Sequence, residues 1–147
     1  MADPTTDQLR VRLVTPERTL FEACATAVEL PSKSGYMEVL YGHAPLLAEL
    51  GAGDVTIHES GIEASASDTR YNVSWGFVEV LGDRVTILAN DALKPDEIDV
   101  PRAQQQLDQG QQMWKEAGES EAAYDEALRV ISEAEAKLSS AGQTVKH

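Results

Sequence analysis

One stretch of the sequence, residues 35–54, constrains the fold more than any other: GYMEVLYGHAPLLAELGAGD. Its two apolar parts are separated by Tyr41, Gly42, His43, Ala44 and Pro45. Glycine adopts backbone angles that other residues avoid, and proline fixes its own φ and favours an extended residue before it. The separating run therefore predicts an ordered loop. The glycine-rich residues 51–54 are expected to end the segment, just before a strand at residues 55–58.

The first two thirds of the chain carry a repeated strand pattern. Apolar and polar residues alternate with the period of half-buried strands at residues 9–13, 28–30, 55–58 and 71–75. Turn sequences separate these runs at residues 15–18, 31–35, 59–61 (leading into a strand at 62–64) and 81–84. Gly76 interrupts the alternation and predicts a bulge or a close backbone approach. Many short strands at this spacing predict an antiparallel β-sandwich or barrel as an N-terminal domain, residues 1–90.

The composition changes at Asp91, where a C-terminal domain of residues 91–147 is predicted. Asp99 is a suitable N-cap, and Pro101 is tolerated in the first turn of a helix. Gly118 is expected to end the first helix, and Ser120 to begin a second. Small and apolar residues recur at spacings of four and three along both helices: Ala103, Leu107, Gly110, Trp114 and Ala117, then Tyr124, Ala127, Ile131, Ala134, Leu138 and Ala141. Two matching seams joined by a short turn predict an antiparallel α-helical hairpin.

This seam is poor in large side chains, and its expected anchors are Leu107, Trp114, Ile131 and Leu138. A buried Leu-sized side chain contributes about 1.5–3 kcal/mol, and Ala far less. Helices of this length are marginal in water without packing. The sequence leaves two alternatives open: a hairpin that separates from the sandwich and opens, and one that stays permanently docked.

Composition excludes several classes of partner and location. The 147 residues include 25 acidic and 12 basic residues, for a net charge of -13. This balance argues against nucleic-acid binding and against lying on an anionic membrane. No apolar run approaches the ~20 residues that span a bilayer, and the first residues lack the pattern of a signal peptide. We therefore expect a soluble, cytosolic chain without direct membrane insertion. The lone Cys24 is expected to be a small residue in a packed strand.

No catalytic or metal-binding pattern is present. The chain has no glycine-rich loop ending in Lys-Ser/Thr, so it has no P-loop for hydrolysing nucleotides. Its three histidines are scattered, and no cysteine accompanies them at metal-ligand spacing. A hydrolase would have to recruit Ser74, His43 and Asp91, which nothing in the sequence brings together. We interpret His43 as a loop residue that bonds to backbone or to a partner, and we expect no catalytic residue, no metal and no cofactor.

Several motifs, in order from about Leu9 to Ala103, carry a resemblance to a known family. They comprise Gly35, an apolar pair at 39–40, the run GHAPL at 42–46, LGAG at 50–53, GFVEV at 76–80, VTILA at 85–89 and IDVPRA at 98–103. Together they resemble the epsilon subunit of F-type ATP synthase, and the helix-rich tail is similar to that of bacterial members. Glu38 and Tyr41 depart from the pattern, because the family usually has apolar residues and a proline there.

The resemblance implies a non-catalytic coupling and regulatory subunit in the central stalk of a proton-translocating rotary ATP synthase. It implies that the sandwich contacts the gamma subunit and the c-ring on the cytoplasmic face of the cell inner membrane. The helical hairpin would either fold beneath the sandwich or extend along gamma towards the catalytic alpha/beta head, and when extended it would inhibit ATP hydrolysis. Within this picture, the candidate interface residues for the c-ring or gamma are Tyr41, Gly42, His43, Ala44 and Pro45.

In epsilon subunits that bind ATP, the motif at residues 98–103 forms part of the nucleotide site. The resemblance thus nominates Ile98, Asp99, Arg102 and Ala103, with ATP as a weak regulatory ligand. Asp99 acting only as a helix cap is the favoured interpretation, because Glu133 and Lys137 stand where ATP-binding relatives have arginines and a Glu repels a triphosphate.

The residues alone allow one other class of function. An acidic β-sandwich with a helical lid would also suit a free-standing binding module for a small ligand or peptide. A stalk subunit would co-purify with membranes, whereas a free module would stay in the cytosolic fraction.

Overall fold

The computed structural model describes residues 8–59 and 68–145, with side chains described as far as residue 142. The chain divides into two compact units, Met1–Ala92 and Leu93–His147. The predicted turn at 59–61 and the strand at 62–64 fall largely on residues 60–67, outside the described residues. The strands are β1 (Leu9–Val14), β2 (Thr19–Ser32), β3 (Gly35–Leu40), β4 (Leu46–Glu59), β5 (Asp68–Leu81) and β6 (Arg84–Leu93). The last strand continues past residue 90, where the predicted N-terminal domain ends.

The six strands form one sheet that closes on itself. Their order is β1-β6-β5-β4-β2-β3, and β1 also pairs with β2. The pairings of β2 with β1, β3 and β4 and of β4 with β5 are antiparallel, whereas β1 pairs with β6 in parallel. Because β1 pairs with both β6 and β2, the strands β1, β6, β5, β4 and β2 form a closed ring, and β3 lies beside β2. Because a closed sheet has few free edges, this pairing protects the backbone groups of the short strands. The predicted β-sandwich or barrel is confirmed.

Branched aliphatic side chains fill the interior of this ring. One cluster of buried residues takes at least one side chain from every strand, including Leu13, Val28, Val39, Leu50, Val73 and Ile87. Their alternation along the strands follows the period of two predicted from the sequence. Cys24 departs from the expectation: it lies in β2 but is exposed, because β2 turns the neighbouring Ala23 and Ala25 positions to the opposite face.

The glycine-rich run at residues 51–54 does not end a segment, and that prediction is wrong. β4 continues through it to Glu59, so the strand is one element. The Tyr36 hydroxyl accepts a hydrogen bond from the Asp54 N–H at 2.9 Å, and a Cβ on Gly53 would collide with that hydroxyl. A Cβ on Gly51 would approach the Ser32 carbonyl oxygen to 3.0 Å. Because they have no side chain, Gly51 and Gly53 allow β2 and β3 to pack closely against β4. They do not form a turn.

Gly76 lies where β5 and β6 approach closely. Its φ is +130°, and a Cβ there would collide with the Leu88 carbonyl oxygen. The preceding Trp75 also has a positive φ, +60°. The predicted close approach is confirmed, and no side chain larger than that of glycine fits at this point of β5. The predicted hairpin at residues 81–84 is confirmed as the turn between β5 and β6.

The second unit consists of a short 3₁₀ helix (Pro95–Glu97), α1 (Val100–Glu116) and α2 (Glu121–Val145). Asp99 is the N-cap of α1, and Gly118, with φ +59°, lies in the turn between the helices. The Ser120 hydroxyl accepts the Ala123 N–H at 3.2 Å and so caps α2. The predicted helical hairpin is confirmed, and α1 and α2 each begin directly after the capping residue predicted from the sequence. Within the described residues, no helix is both long enough and apolar enough to cross a bilayer.

The hairpin buries its small residues and leaves its large ones at the margin. Gly110 and Ala127 are buried, and a Cβ on Gly110 would lie 2.8 Å from Ile131 Cγ1. The expected anchors are not core residues: Leu107, Ile131 and Leu138 are half-buried, and Trp114 is 44% exposed beside Tyr124. Close approach of the two backbones explains this difference, because it leaves no room for a large side chain between them.

Candidate functional site

The loop between β3 and β4 contains the five residues nominated as an interface. Gly42 has φ +89°, which lets the chain reverse direction after Tyr41. The His43 N–H donates to the Leu40 carbonyl oxygen at 3.1 Å. The His43 ring donates from Nδ1 to the Ala44 carbonyl oxygen at 2.6 Å. The backbone-bonded role predicted for His43 is confirmed, and the loop is held in one shape by its own residues.

An outward-facing apolar surface adjoins this loop. Leu46, the residue after the loop, pairs with Val80, so the loop lies at the same end of the sheet as the turn after Leu81. Leu47 pairs with Glu79, and Phe77 and Leu81 lie two residues to either side of Glu79 on the same face. These three side chains, which we call the outer apolar patch, are 70% (Leu47), 50% (Phe77) and 60% (Leu81) exposed.

This patch is not among the sites predicted from the sequence, although the sequence contains a signal for it. Residues 77–81 read FVEVL, so apolar side chains occur on both faces of the strand rather than on one. Val78 and Val80 are buried, whereas Phe77 and Leu81 face outward. A strand of a small domain that exposes large apolar side chains on its outer face indicates a surface that another molecule covers. Tyr41, 48% exposed, extends the apolar character to the loop.

The residues nominated for nucleotide binding lie at the start of α1. Asp99 Oδ1 accepts the Arg102 N–H at 3.1 Å, and the Asp99 carbonyl oxygen accepts the Ala103 N–H at 2.9 Å. Ile98 and Ala103 are buried, whereas Asp99 and Arg102 are exposed. The predicted capping role of Asp99 is confirmed. A nucleotide that bound Asp99 would have to share its carboxylate with the Arg102 N–H at the start of α1.

On α2, Lys137 and Glu133 form an ion pair. Lys137 Nζ lies 3.1 Å from Glu133 Oε1, and the lysine side chain is only 13% exposed. The positive charge that could meet a phosphate is therefore already matched by the carboxylate one turn away.

A charged cluster lies across three strands of the first unit. His58 on β4 contacts Glu29 of β2 through Nε2 at 2.9 Å and Asp68 of β5 through Nδ1 at 3.0 Å. The hydrogen bond to Glu29, together with Asp68, raises the pKa of His58 above 6.5, although partial burial opposes the shift. An imidazolium in this position ties its neighbouring strands together.

Glu29, Glu38 and His58 also have ligand atoms within 4.8 Å of one another. Both ring nitrogens of His58 already contact carboxylates. The positive charge of the imidazolium therefore compensates the neighbouring carboxylates, as a bound cation would. We assign no metal to this group.

The three residues considered for a hydrolase have separate roles. Ser74 is buried within β5, and the His43 ring is bonded to the loop backbone. Asp91 lies on β6. Nothing in this arrangement gives Ser74 access to a substrate.

Comparison with known proteins identifies the family. Residues 8–95 match the family model described as "ATP synthase, Delta/Epsilon chain, beta-sandwich domain". The chain is 40% identical over 137 residues to the ATP synthase epsilon chain of Solibacter usitatus, covering 92% of this chain and 96% of the relative.

Two solved structures share the fold. A chain of the cryo-EM structure of the Euglena gracilis mitochondrial ATP synthase matches with a TM-score of 0.74 and 19% identity, over 100% of this chain and 85% of its own length. A chain of the Tetrahymena thermophila mitochondrial ATP synthase central stalk and c-ring matches with a TM-score of 0.65 and 17% identity, over 90% of this chain and 96% of its own length.

The first unit, which we call the β domain, supplies most of the family-model match. The epsilon-chain relative covers both the β domain and the helices. The resemblance carried by the motifs at residues 35–53 and 76–103 is thereby confirmed, together with the non-catalytic character expected from it. This chain belongs to the ATP synthase epsilon-chain family.

Proposed function

We propose that this protein is the coupling and regulatory subunit of the central stalk of a proton-translocating rotary ATP synthase. In this proposal the β domain binds the gamma subunit and the c-ring, and the helical hairpin inhibits ATP hydrolysis when it extends towards the catalytic alpha/beta head. The complex places the subunit at the cytoplasmic face of the inner membrane as a peripheral component. Family membership supports the assembly, and so does the origin of one fold neighbour in a central stalk with its c-ring.

The outer apolar patch is the observation that carries the docking part of the proposal. Leu47 and Leu81 are each exposed by more than half and lie at the end of the sheet that carries the loop of residues 41–45. Large apolar side chains that are exposed together mark a surface that a partner covers. Glu79 lies within the patch, paired with Leu47 and between Phe77 and Leu81, so the partner must also supply a hydrogen-bond donor or a positive charge for one carboxylate. A stalk partner that covers this end would remove the patch from water.

Docking can be tested with Leu47→Gln, which removes apolar surface without adding charge. We expect weaker assembly with the gamma subunit and the c-ring, measured by co-purification from membranes, while the melting temperature of the isolated chain stays unchanged. Leu128→Gln is the matched control, because Leu128 is also partly exposed, at 41%, but lies on α2. Equal assembly of both variants would remove the patch from the interface.

The hairpin seam supports the regulatory part of the proposal. Its buried positions are mostly Ala and Gly, so separating the helices exposes little apolar surface. A ligand or partner can shift such an equilibrium only by its differential affinity for the two states, so the closed and extended states must lie within a few kcal/mol of each other.

A disulfide across the seam tests the brake. A Cβ at residue 110 would lie 3.2 Å from the Ile131 backbone nitrogen, so these two positions face each other across the seam and we choose them for the cysteine pair. In a Cys24→Ser background, oxidation of Gly110→Cys/Ile131→Cys should hold the hairpin closed and raise ATP hydrolysis by the assembled enzyme. Each single-cysteine variant is the control. Hydrolysis that does not change on oxidation would show that the hairpin is not a brake.

We further propose that ATP binds weakly or not at all. Asp99 already caps α1, and Lys137 is paired with Glu133. Calorimetry on the full chain tests this: micromolar affinity, about -8 kcal/mol, that is lost in Arg102→Ala would contradict the proposal.

A further inference from the structure

Three arginines lie together on the outer surface of the β domain, although the chain as a whole is strongly acidic. β1 places Arg10 and Arg12 on its outward face, because Leu9, Val11 and Leu13 between and beside them are buried. In the parallel pairing with β6, Arg10 lies directly opposite Arg84. Twelve basic residues are spread over the chain against 25 acidic ones, so three at neighbouring positions are a local reversal of charge.

The strand register fixes this surface as a small grid. Cys24, Arg10 and Arg84 form one row across β2, β1 and β6, and Glu22, Arg12 and Thr86 form the next. Neighbouring strands are about 4.8 Å apart, and alternate residues along a strand are about 6.7 Å apart. Flexible arginine side chains at these spacings can reach a single group between them.

Within the described part of the chain, the positive charge of this grid is largely unmatched. Arg12 Nε lies 4.0 Å from Glu22 Oε2, at the limit of an ion pair, and both side chains are more than half exposed. Among the described residues, neither Arg10 nor Arg84 forms an ion pair. Like charges that face each other directly across a strand pair are unfavourable. The arrangement costs stability unless something negative binds there.

The grid surrounds a concavity of about 460 Å³, lined by both strands that flank β1 and by β1 itself. This volume is in the range of small-molecule sites. Among the described residues, the lining includes Arg10, Arg12, Arg84 and Thr86, with Glu22 as its one acidic residue, and no aromatic side chain on which a base could stack. Guanidinium groups match the geometry of phosphate oxygens through paired hydrogen bonds.

From these observations we propose that Arg10, Arg12 and Arg84 form a binding site for a small anion that carries at least two phosphate groups, such as a diphosphate. The arginines neutralise the anion, and Thr86 donates to one of its oxygens. None of its residues belongs to the loop of residues 41–45 or to the motif at residues 98–103.

The chain contains its own reporter for this site. Cys24 is its single cysteine, is exposed, and lines the concavity opposite Arg10. The rate at which neutral iodoacetamide modifies Cys24 in the full-length chain, followed by mass spectrometry, therefore reports whether the concavity is filled. Inorganic pyrophosphate is the probe, compared with sodium chloride at equal ionic strength so that general screening is the same in both arms.

Pyrophosphate should slow modification in a saturable way, by about tenfold at about ten times its dissociation constant. Arg84→Gln and Arg10→Gln should each raise that dissociation constant about tenfold or more. Arg18→Gln, an equal change of charge at an exposed turn residue outside the lining, should leave it unchanged. Because Arg10 and Arg84 are exposed and face each other as like charges, replacing either one should not lower the melting temperature of the β domain.

A second measurement separates a binding site from a merely positive surface. Anionic iodoacetate should modify Cys24 faster, relative to iodoacetamide, in the native chain than in Arg84→Gln. Slowing by pyrophosphate that is absent, or that is the same in Arg84→Gln as in the native chain, would overturn the proposal. A change in the reagent ratio without protection by pyrophosphate would also overturn it, because it would show a positive field that binds nothing.

Discussion

The two units of this chain bury different kinds of side chain. The β domain encloses Leu, Val and Ile from every strand, and many of them are fully buried. The hairpin encloses Ala103, Gly110, Ala127, Ala134 and Ala141. A fully buried Leu or Ile contributes about 1.5–3 kcal/mol, whereas an Ala contributes a fraction of that. One unit is therefore built to persist, and the other is built so that its two helices can separate at small cost.

This difference suits the two roles that we propose for the subunit, coupling and regulation. A domain that must transmit rotation to a stalk needs one fixed shape, which a closed ring of strands provides. A regulatory element needs two states of similar free energy, and a seam of small residues allows that because it forms few large apolar contacts. The contrast lies in side-chain volume rather than in secondary structure, so substitutions that change volume test it directly.

The largest expected effect is in the β core. Leu50 is 1% exposed, and Leu50→Ala should lower the free energy of unfolding by about 2–5 kcal/mol through lost burial and the cavity left behind. Leu47→Ala, three residues earlier on β4 but 70% exposed, should change it by less than about 0.5 kcal/mol. Trp75 is the only tryptophan of the first unit, so its fluorescence in a Trp114→Phe background follows this unit alone. Similar losses in both variants would mean that burial does not determine the stability of the domain.

Most of the β domain could be predicted because its signals are local. Alternating side chains predicted the strands, and Gly76 predicted the point at which β5 meets the Leu88 carbonyl oxygen. The hairpin was likewise predictable from Asp99, Gly118 and Ser120, whose capping and turn roles depend on neighbours within three residues.

The errors concern contacts between residues far apart in sequence. The sequence around Gly53 is typical of a turn. Its real role, to leave space in β4 for the Tyr36 hydroxyl of β3, depends on a residue in another strand. Cys24 was expected to be packed but is exposed, and the local sequence could not show this because its neighbours Ala23 and Ala25 are also small and do not mark which face of the strand is buried. The arginine grid requires the parallel pairing of β1 with β6, which no local pattern indicates. For the interface loop and the nucleotide motif, the sequence nominated positions, and their roles remain proposals.

Gly110→Ala should give the next largest effect, and it acts on both states of the hairpin. In the closed hairpin the new Cβ meets Ile131 Cγ1 at 2.8 Å, and overpacking of this kind costs about 1–3 kcal/mol. The gain in helix propensity, about 1 kcal/mol, is the same in a packed and in a separated helix and therefore does not shift the balance between them. The clash alone favours opening, so Trp114 fluorescence in a Trp75→Phe background and amide exchange of α1 should report an earlier loss of packing.

The matched control for Gly110→Ala is Gly142→Ala on α2, where a Cβ would meet nothing within 4 Å. It keeps the gain in helix propensity and lacks the clash, so it should stabilise the hairpin by up to about 1 kcal/mol. If the proposed brake operates, Gly110→Ala should strengthen inhibition of ATP hydrolysis, and Gly142→Ala should not. A hairpin that tightens in Gly110→Ala would show that the seam is looser than its contacts indicate.

Removing the helix cap should have a smaller, local effect. Asp99→Ala leaves the Arg102 N–H without its acceptor and should destabilise the start of α1 by about 1 kcal/mol. Amide exchange at the first turn of α1 measures this change, and the β domain should be unaffected. Asp99→Asn retains a capping oxygen without the charge and should recover most of the loss. Equal loss in both variants would indicate that the charge at the helix start, rather than the hydrogen bond, is what matters.

The smallest expected effect is a dependence on pH that only the β domain should show. The hydrogen bond to Glu29 and the neighbouring Asp68 raise the folded-state pKa of His58 above 6.5. The imidazolium is thus favoured by the folded state: its stabilising contribution is fully present below the unfolded pKa and is lost as the pH rises through the folded pKa. The melting temperature of the β domain should accordingly decline slightly across that interval, with Trp75 as the probe. His58→Gln should abolish the decline, and Glu29→Gln should weaken it more than Asp68→Asn, because Glu29 is the largest cause of the shift. His43→Gln, which alters a ring bonded to the Ala44 carbonyl oxygen, should leave the decline intact. A decline that persists in His58→Gln would assign the pH dependence to another group and remove His58 as a link between β2, β4 and β5.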